Sequence, residues 1–137
     1  MTSGRARRDP LHVVFIDQDR TFTAIYKVAL ETAGMEVLIA GDGRGGLELV
    51  SAVRPDVVVM DLALPDADGL DVLAGLKSLG ATRHIPVGIL DVQANEGTMK
   101  MCHELGAVGY LPKTLISPTM LVELLASWAA ESGTSER

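Results

Sequence analysis

Residues 55–69 read PDVVVMDLALPDADG. The run DVVVM (56–60) is too short for a helix, rich in β-branched residues, and apolar without alternation. That pattern predicts a strand covered on both faces, as in parallel sheets flanked by helices. Asp61 follows directly, and the loop LALPDADG (62–69) carries the Pro, Asp and Gly that turn a chain. A fully buried strand that empties into a polar loop is the signature of an α/β fold with its chemistry at one sheet edge.

Working outward, LHVVFI (11–16) reads as another buried strand. A helix is predicted over 20–33, with Phe22, Ile25, Val28 or Ala29, and Thr32 on its apolar face and Gly34 at its C-terminal cap. MEVLIA (35–40) is a second strand, and Gly41, Asp42 and Gly43 turn into a helix carrying Leu47, Val50 and Val53 that stops at Pro55. After 56–60 comes a helix from Leu70 to Leu79 that closes near Gly80. The strand IPVGIL (85–90), a helix from Ala94 to Leu105 and the strand VGYL (108–111) follow. Pro118 suits the first turn of a last helix on which Leu121, Leu124, Leu125 and Trp128 share a face. Five strand–helix units in strict alternation predict a doubly wound, five-stranded parallel sheet with helices on both faces.

The chain has 137 residues, enough for one ordinary domain. Its expected organisation is a disordered basic arm over 1–10 (Arg5, Arg7, Arg8), one domain over 11–130, and a polar, frayed tail over 131–137. One cysteine, Cys102, precludes an internal disulfide and fits a reducing cytoplasm. No apolar run is long enough to span a bilayer, and the N-terminus lacks the apolar stretch of a signal peptide. A net charge of −6 argues against general nucleic-acid affinity, which needs a basic face. About nine residues follow Trp128, too few for a further folded domain, so a stand-alone module or a piece of a longer protein is expected.

In open parallel sheets, ligands bind beyond the C-terminal strand ends. Here the first strand empties into Asp17, Gln18 and Asp19, the third into Asp61, the fourth into Asp91 and the fifth into Lys113. Three carboxylates and a lysine therefore converge on one edge. Like charges so close require a held proton or a cation among them. Carboxylates with room for water suit Mg²⁺, and a carboxylate beside Mg²⁺ and a lysine is a plausible nucleophile toward a phosphoryl group. Single acids at loop starts are commonly caps and turn residues. Asp19 is expected to cap the first helix, and Asp66 and Asp68 to be turn residues.

PDVVVMDLALPDADGLDVL, GAVGYLPK and HVVFIDQD together resemble the response-regulator receiver family, over about Leu11 to Ala130. The resemblance implies a flavodoxin-like sheet of order 2-1-3-4-5. It also implies that Asp61 accepts a phosphoryl group from a sensor histidine kinase or phosphotransfer protein. Asp17, Asp61 and the backbone carbonyl of Ala63 would hold Mg²⁺, and Lys113 would contact the phosphoryl group or pair with Asp61 in its absence. Tyr110 would be the switch aromatic. The fourth and fifth helices, with Met99, Met101, Val122 and Ala126, would face a downstream effector or a second copy.

Two positions depart from the family pattern. Gln18 stands where a second acid is usual, so Mg²⁺ affinity should fall. Asp91, followed by Val92, stands where a small hydroxyl residue is usual, and an ionised carboxylate there repels a phosphoryl dianion. Thr114 after the lysine replaces a typical proline. Either the site phosphorylates slowly with Asp91 hydrogen-bonded away, or Asp91 pairs with Lys113 and the domain is a pseudo-receiver acting through its surface. Such a pair at ~4 Å would attract by about 4 kcal/mol at an effective dielectric near ~20. Two other doubly wound classes fit less well. IDQDRTF is not the phosphate loop of a flavodoxin, and Ala63 stands where an aspartate-nucleophile phosphatase has its second acid. The histidines 12, 84 and 103 share no ligand spacing, Cys102 is expected to pack or to be a quiet surface thiol, and Trp128 to pack the last helix on the sheet.

Overall fold

The structure is a computed structural model that describes residues 9–135, so the expected basic arm, apart from Asp9 and Pro10, lies outside the described residues. The strands are β1 (His12–Ile16), β2 (Glu36–Ala40), β3 (Val57–Asp61), β4 (Val87–Asp91) and β5 (Gly109–Pro112). The helices are α1 (Arg20–Thr32), α2 (Gly43–Val53), α3 (Gly69–Ser78), α4 (Glu96–Glu104) and α5 (Pro118–Ser135). The strands form one parallel sheet in the order β2-β1-β3-β4-β5. Sheet order and strand–helix alternation agree with the expected doubly wound architecture. The last helix runs to Ser135, across most of the segment expected to be a frayed tail.

All five residues of β3 are buried, as its uniform composition requires. Period-2 alternation then sends its side chains to opposite layers. Val57 and Val59 join Val13, Phe15, Leu30, Leu121 and Leu125 on the α1/α5 side. Val58 and Met60 join Val14, Ile16, Val72, Leu76 and Ile89 on the α2/α3 side. Each such aliphatic side chain contributes roughly 1.5–3 kcal/mol when fully withdrawn from water. Trp128 packs α5 on the sheet through a slot made by two glycines. A Cβ on Gly88 would lie 2.2 Å, and one on Gly109 2.5 Å, from the indole.

Helix α1 presents a different face from the expected one. Thr23, Tyr26 and Leu30 are buried, whereas Ile25 and Val28 are 57% and 65% exposed. The period fits both faces; what decides is the partner for a buried phenol. Tyr26 donates its hydroxyl to the Ile116 carbonyl at 2.9 Å, so its ring is buried with its polar tip satisfied. On α2 only Val50 of the three expected apolar residues is fully buried, because Gly43 and Gly46 bring the helix backbone close to the sheet, and Val53 stays 37% exposed. Val122 packs against the α1/α5 layer rather than standing free, while Met99 and Met101 are each 45% exposed. Cys102 is fully buried, so it packs rather than serving as a surface thiol.

Candidate functional site

The turn after β1 forms because Asp17 folds back on its own loop. Its backbone amide donates to the Ala40 carbonyl, and its Oδ1 accepts from the Asp19 amide at 2.8 Å. Asp19 in turn accepts from the Phe22 amide and caps α1, as expected. Asp17 is 1% exposed. Asp61, the last residue of β3, is 3% exposed, and its Oδ1 accepts from the Ala63 amide at 2.9 Å. Order 2-1-3 sets these two strand ends side by side.

Lys113 leaves β5 at the start of a short 3₁₀ turn and reaches across to both acids. Its Nζ donates to Asp61 Oδ2 at 2.8 Å and to Asp17 Oδ1 at 3.2 Å. It also lies 2.9 Å from Asp17 Oδ2 and 4.0 Å from Asp19. Phe22 places its ring 4.4 Å from the same ammonium, a cation–π contact that sequence reading missed, having counted Phe22 as helix filler. Burial pushes the Asp17 carboxyl above its ordinary range, against the hydrogen bonds from Asp19 and Lys113. Burial would lower Lys113, but its hydrogen bonds to Asp61 and Asp17 outweigh it and hold the ammonium above its ordinary value. The arrangement is one cation between two anions, and it carries net negative charge.

Asp91 does not join this cluster. Its Oδ2 accepts from the Tyr110 hydroxyl at 2.5 Å and its Oδ1 from the Gln93 amide at 3.1 Å. Of the two arrangements expected for Asp91, the structure has the one in which it is hydrogen-bonded away from the lysine: Asp91 pairs with Tyr110, and Lys113 is taken by Asp17 and Asp61, both more deeply buried than Asp91. Of the three carboxylates expected to converge, Asp17 and Asp61 meet the lysine and Asp91 does not, while Asp19 stands at the edge of ion-pair range. Burial first, then the Asp91 hydrogen bond, raises the Tyr110 phenol to about 12.

The loop after β3 is built for close approach. Gly69 donates its amide to the Leu62 carbonyl, and a Cβ there would lie 2.4 Å from Leu62 Cα, so only glycine fits. Asp68 caps α3 through the Leu70 amide. Asp66, expected to be a turn residue only, spans to α2 and accepts from the Gly43 and Arg44 amides at 2.7 and 3.0 Å. Those hydrogen bonds hold its carboxyl below the usual carboxylate range. They tie the loop after Asp61 to the start of α2.

Among the described residues, no set of three or more His, Cys, Asp or Glu side chains is arranged to hold a metal. Two carboxylates and a carbonyl are nevertheless a set that Mg²⁺ accepts when water completes its shell. Asp17 Oδ2 is buried and, although near Lys113, receives no aligned hydrogen bond. That oxygen faces the Lys113 ammonium as an ion pair and keeps lone-pair capacity for a second cation. The Ala63 carbonyl, by contrast, accepts the Gln18 side-chain amide at 2.8 Å.

The fold agrees with what is found in known proteins. Residues 13–126 match the model of the response regulator receiver domain. The chain belongs to that family. It is 35% identical over 121 residues to the response regulator MprA of Mycolicibacterium vanbaalenii, covering 88% of this chain and 50% of that protein. The chain therefore spans about half the length of that relative. A CheY-like receiver domain protein from Methanospirillum hungatei superposes with a TM-score of 0.86 at 22% identity, over 93% of this chain and 99% of that one. The Mn²⁺-bound form of the response regulator Rcp1 superposes with a TM-score of 0.74 at 24% identity, covering 86% and 91%. No helix among the described residues is long and apolar enough to cross a membrane.

Proposed function

We propose that this receiver domain accepts a phosphoryl group at Asp61 from a phosphohistidine of a sensor kinase or phosphotransfer protein, in the cytoplasm. The observation that carries this reading is the Lys113 ammonium, held 2.8 Å from Asp61 Oδ2 inside a buried pair of acids. An Asp61 carboxylate oxygen attacks phosphorus as the P–N bond to imidazole breaks, and the electron pair returns to the imidazole nitrogen. Lys113 gives up part of its contact with Asp61 and offsets the charge gathering on the phosphoryl oxygens. Asp17 keeps Lys113 aimed at the site, and the Ala63 amide orients Asp61. Asp17, Asp61 and the Ala63 carbonyl are the residues that would hold Mg²⁺, which supplies further charge neutralisation when bound. Gln18 weakens that site, since it brings no charge and its amide occupies the Ala63 carbonyl.

A second reading, a pseudo-receiver that is never phosphorylated and works only as an interaction module, is favoured by that same Gln18–Ala63 contact. Output in either case is assigned to the β4–α4–β5–α5 face, toward a protein effector or a second copy. Intact mass after incubation with Mg²⁺ and a small acyl phosphate separates the two. One added phosphoryl group supports phosphoacceptance. An unchanged mass at saturating phosphodonor supports the pseudo-receiver.

A further inference from the structure

Four residues around the end of β4 close a ring of hydrogen bonds. Tyr110 donates its hydroxyl hydrogen to Asp91 Oδ2 at 2.5 Å and accepts from the Asn95 amide at 3.3 Å. Asn95 Nδ2 donates to the Gln93 carbonyl at 3.1 Å, and the Gln93 amide donates to Asp91 Oδ1 at 3.1 Å. The circuit returns to the residue where it began. Asn95 is also the N-cap of α4, its Oδ1 accepting from the Thr98 amide at 2.8 Å. Tyr110 thus joins the end of β4 to the first turn of α4, from its seat on the neighbouring strand β5.

The ring depends on what Asp91 offers. A carboxylate accepts at two oxygens, so one side chain can hold both the loop amide and the phenol. A serine or threonine hydroxyl has a single oxygen and cannot span the two donors. The loop itself is largely solvent-exposed, where isolated hydrogen bonds compete with water. Closure of the circuit, with a charged acceptor at its head, favours one arrangement over the alternatives.

We propose that Asp91 is a positioning residue: through Tyr110 it fixes the start of α4 in one arrangement, and it does so with no phosphoryl group on Asp61. The Asp91 carboxylate is turned away from Lys113 and spent on the loop. The inference rests on the receiver reading for its meaning as output control, but the ring itself is independent of whether Asp61 is ever phosphorylated.

The test is amide hydrogen exchange in the full chain without any phosphodonor, so its outcome is separate from that of the phosphorylation assay. Asp91→Ser and Tyr110→Phe should each speed exchange at the Asn95 amide by about tenfold, the factor expected from losing one hydrogen bond. The double variant should be no faster than the faster single one, because both substitutions open the same ring. Asp91→Asn, which keeps one acceptor, should fall between. Unchanged exchange at Asn95 in a folded Asp91→Ser, or multiplicative effects in the double variant, would overturn the proposal. Asp91→Asn keeps the shape of the side chain, so it carries the test if Asp91→Ser fails to fold: exchange at Asn95 no faster than in the parent would then overturn the proposal.

Discussion

Lys113 stands between Asp17 and Asp61, 3.2 Å from an oxygen of the first and 2.8 Å from an oxygen of the second, with all three groups buried. Two carboxylates on adjacent strand ends would repel in this setting, and the ammonium between them offsets that repulsion.

Lys113→Ala therefore removes a cation that both buried acids touch. Breaking a buried ion pair from one side costs roughly 3–5 kcal/mol. Urea denaturation should show a loss of that order, with millimolar Mg²⁺ restoring part of it by binding the freed carboxylates. A variant as stable as the parent, with no response to Mg²⁺, would contradict the role given to Lys113.

Gln18→Asp should strengthen Mg²⁺ binding at the site proposed for Asp17, Asp61 and the Ala63 carbonyl. The new carboxylate adds attraction for a divalent ion and no longer donates to the Ala63 carbonyl. Isothermal titration should show Mg²⁺ binding about tenfold tighter or better than in the parent. Equal affinity would mean that Gln18 has no part in the site.

Tyr110 sets an alkaline limit. Its folded phenol sits at about 12 against an ordinary 10.0, raised by burial and then by Asp91. A raised value means that the neutral phenol is favoured by folding. The contribution is complete below pH 10.0 and is lost as pH climbs toward about 12. Tyrosinate absorbance should show this phenol titrating earlier in Asp91→Asn and vanishing from the curve in Tyr110→Phe. Stability measured across the same window should be flatter in Tyr110→Phe.

Gly88→Ala tests the seat of α5. The new Cβ would lie 2.2 Å from the Trp128 indole, and the neighbour is a rigid ring rather than a flexible chain end. Overpacking of this kind costs about 1–3 kcal/mol or more. Chemical denaturation followed by Trp128 fluorescence should report that loss, together with a shifted emission from the displaced indole.

The fold was largely legible from the order of apolar runs, because strands buried on both faces carry a composition that few other elements share. VVVM before Asp61 and the alternation around it were enough for a doubly wound sheet. Helix faces were less legible. In α1 the aliphatic Ile25 and Val28 lost to Tyr26, whose burial depends on the Ile116 carbonyl, a partner 90 residues away. The convergence of Asp17, Asp61 and Lys113 followed from strand ends alone. The direction of the Asp91 side chain did not, since it depends on a phenol donated from the next strand. Phe22 under the ammonium and Asp66 capping α2 from another loop are long-range contacts of the same kind, and no local spacing announces them.

The central claim is that Asp61 is a nucleophile held ready by Lys113. The most direct measurement is the intact mass of the parent and of Asp61→Asn, each incubated with Mg²⁺ and a small acyl phosphate. The account predicts one added phosphoryl group on the parent, accumulating slowly, and none on Asp61→Asn. An unmodified parent, or an adduct that persists in Asp61→Asn, would contradict it.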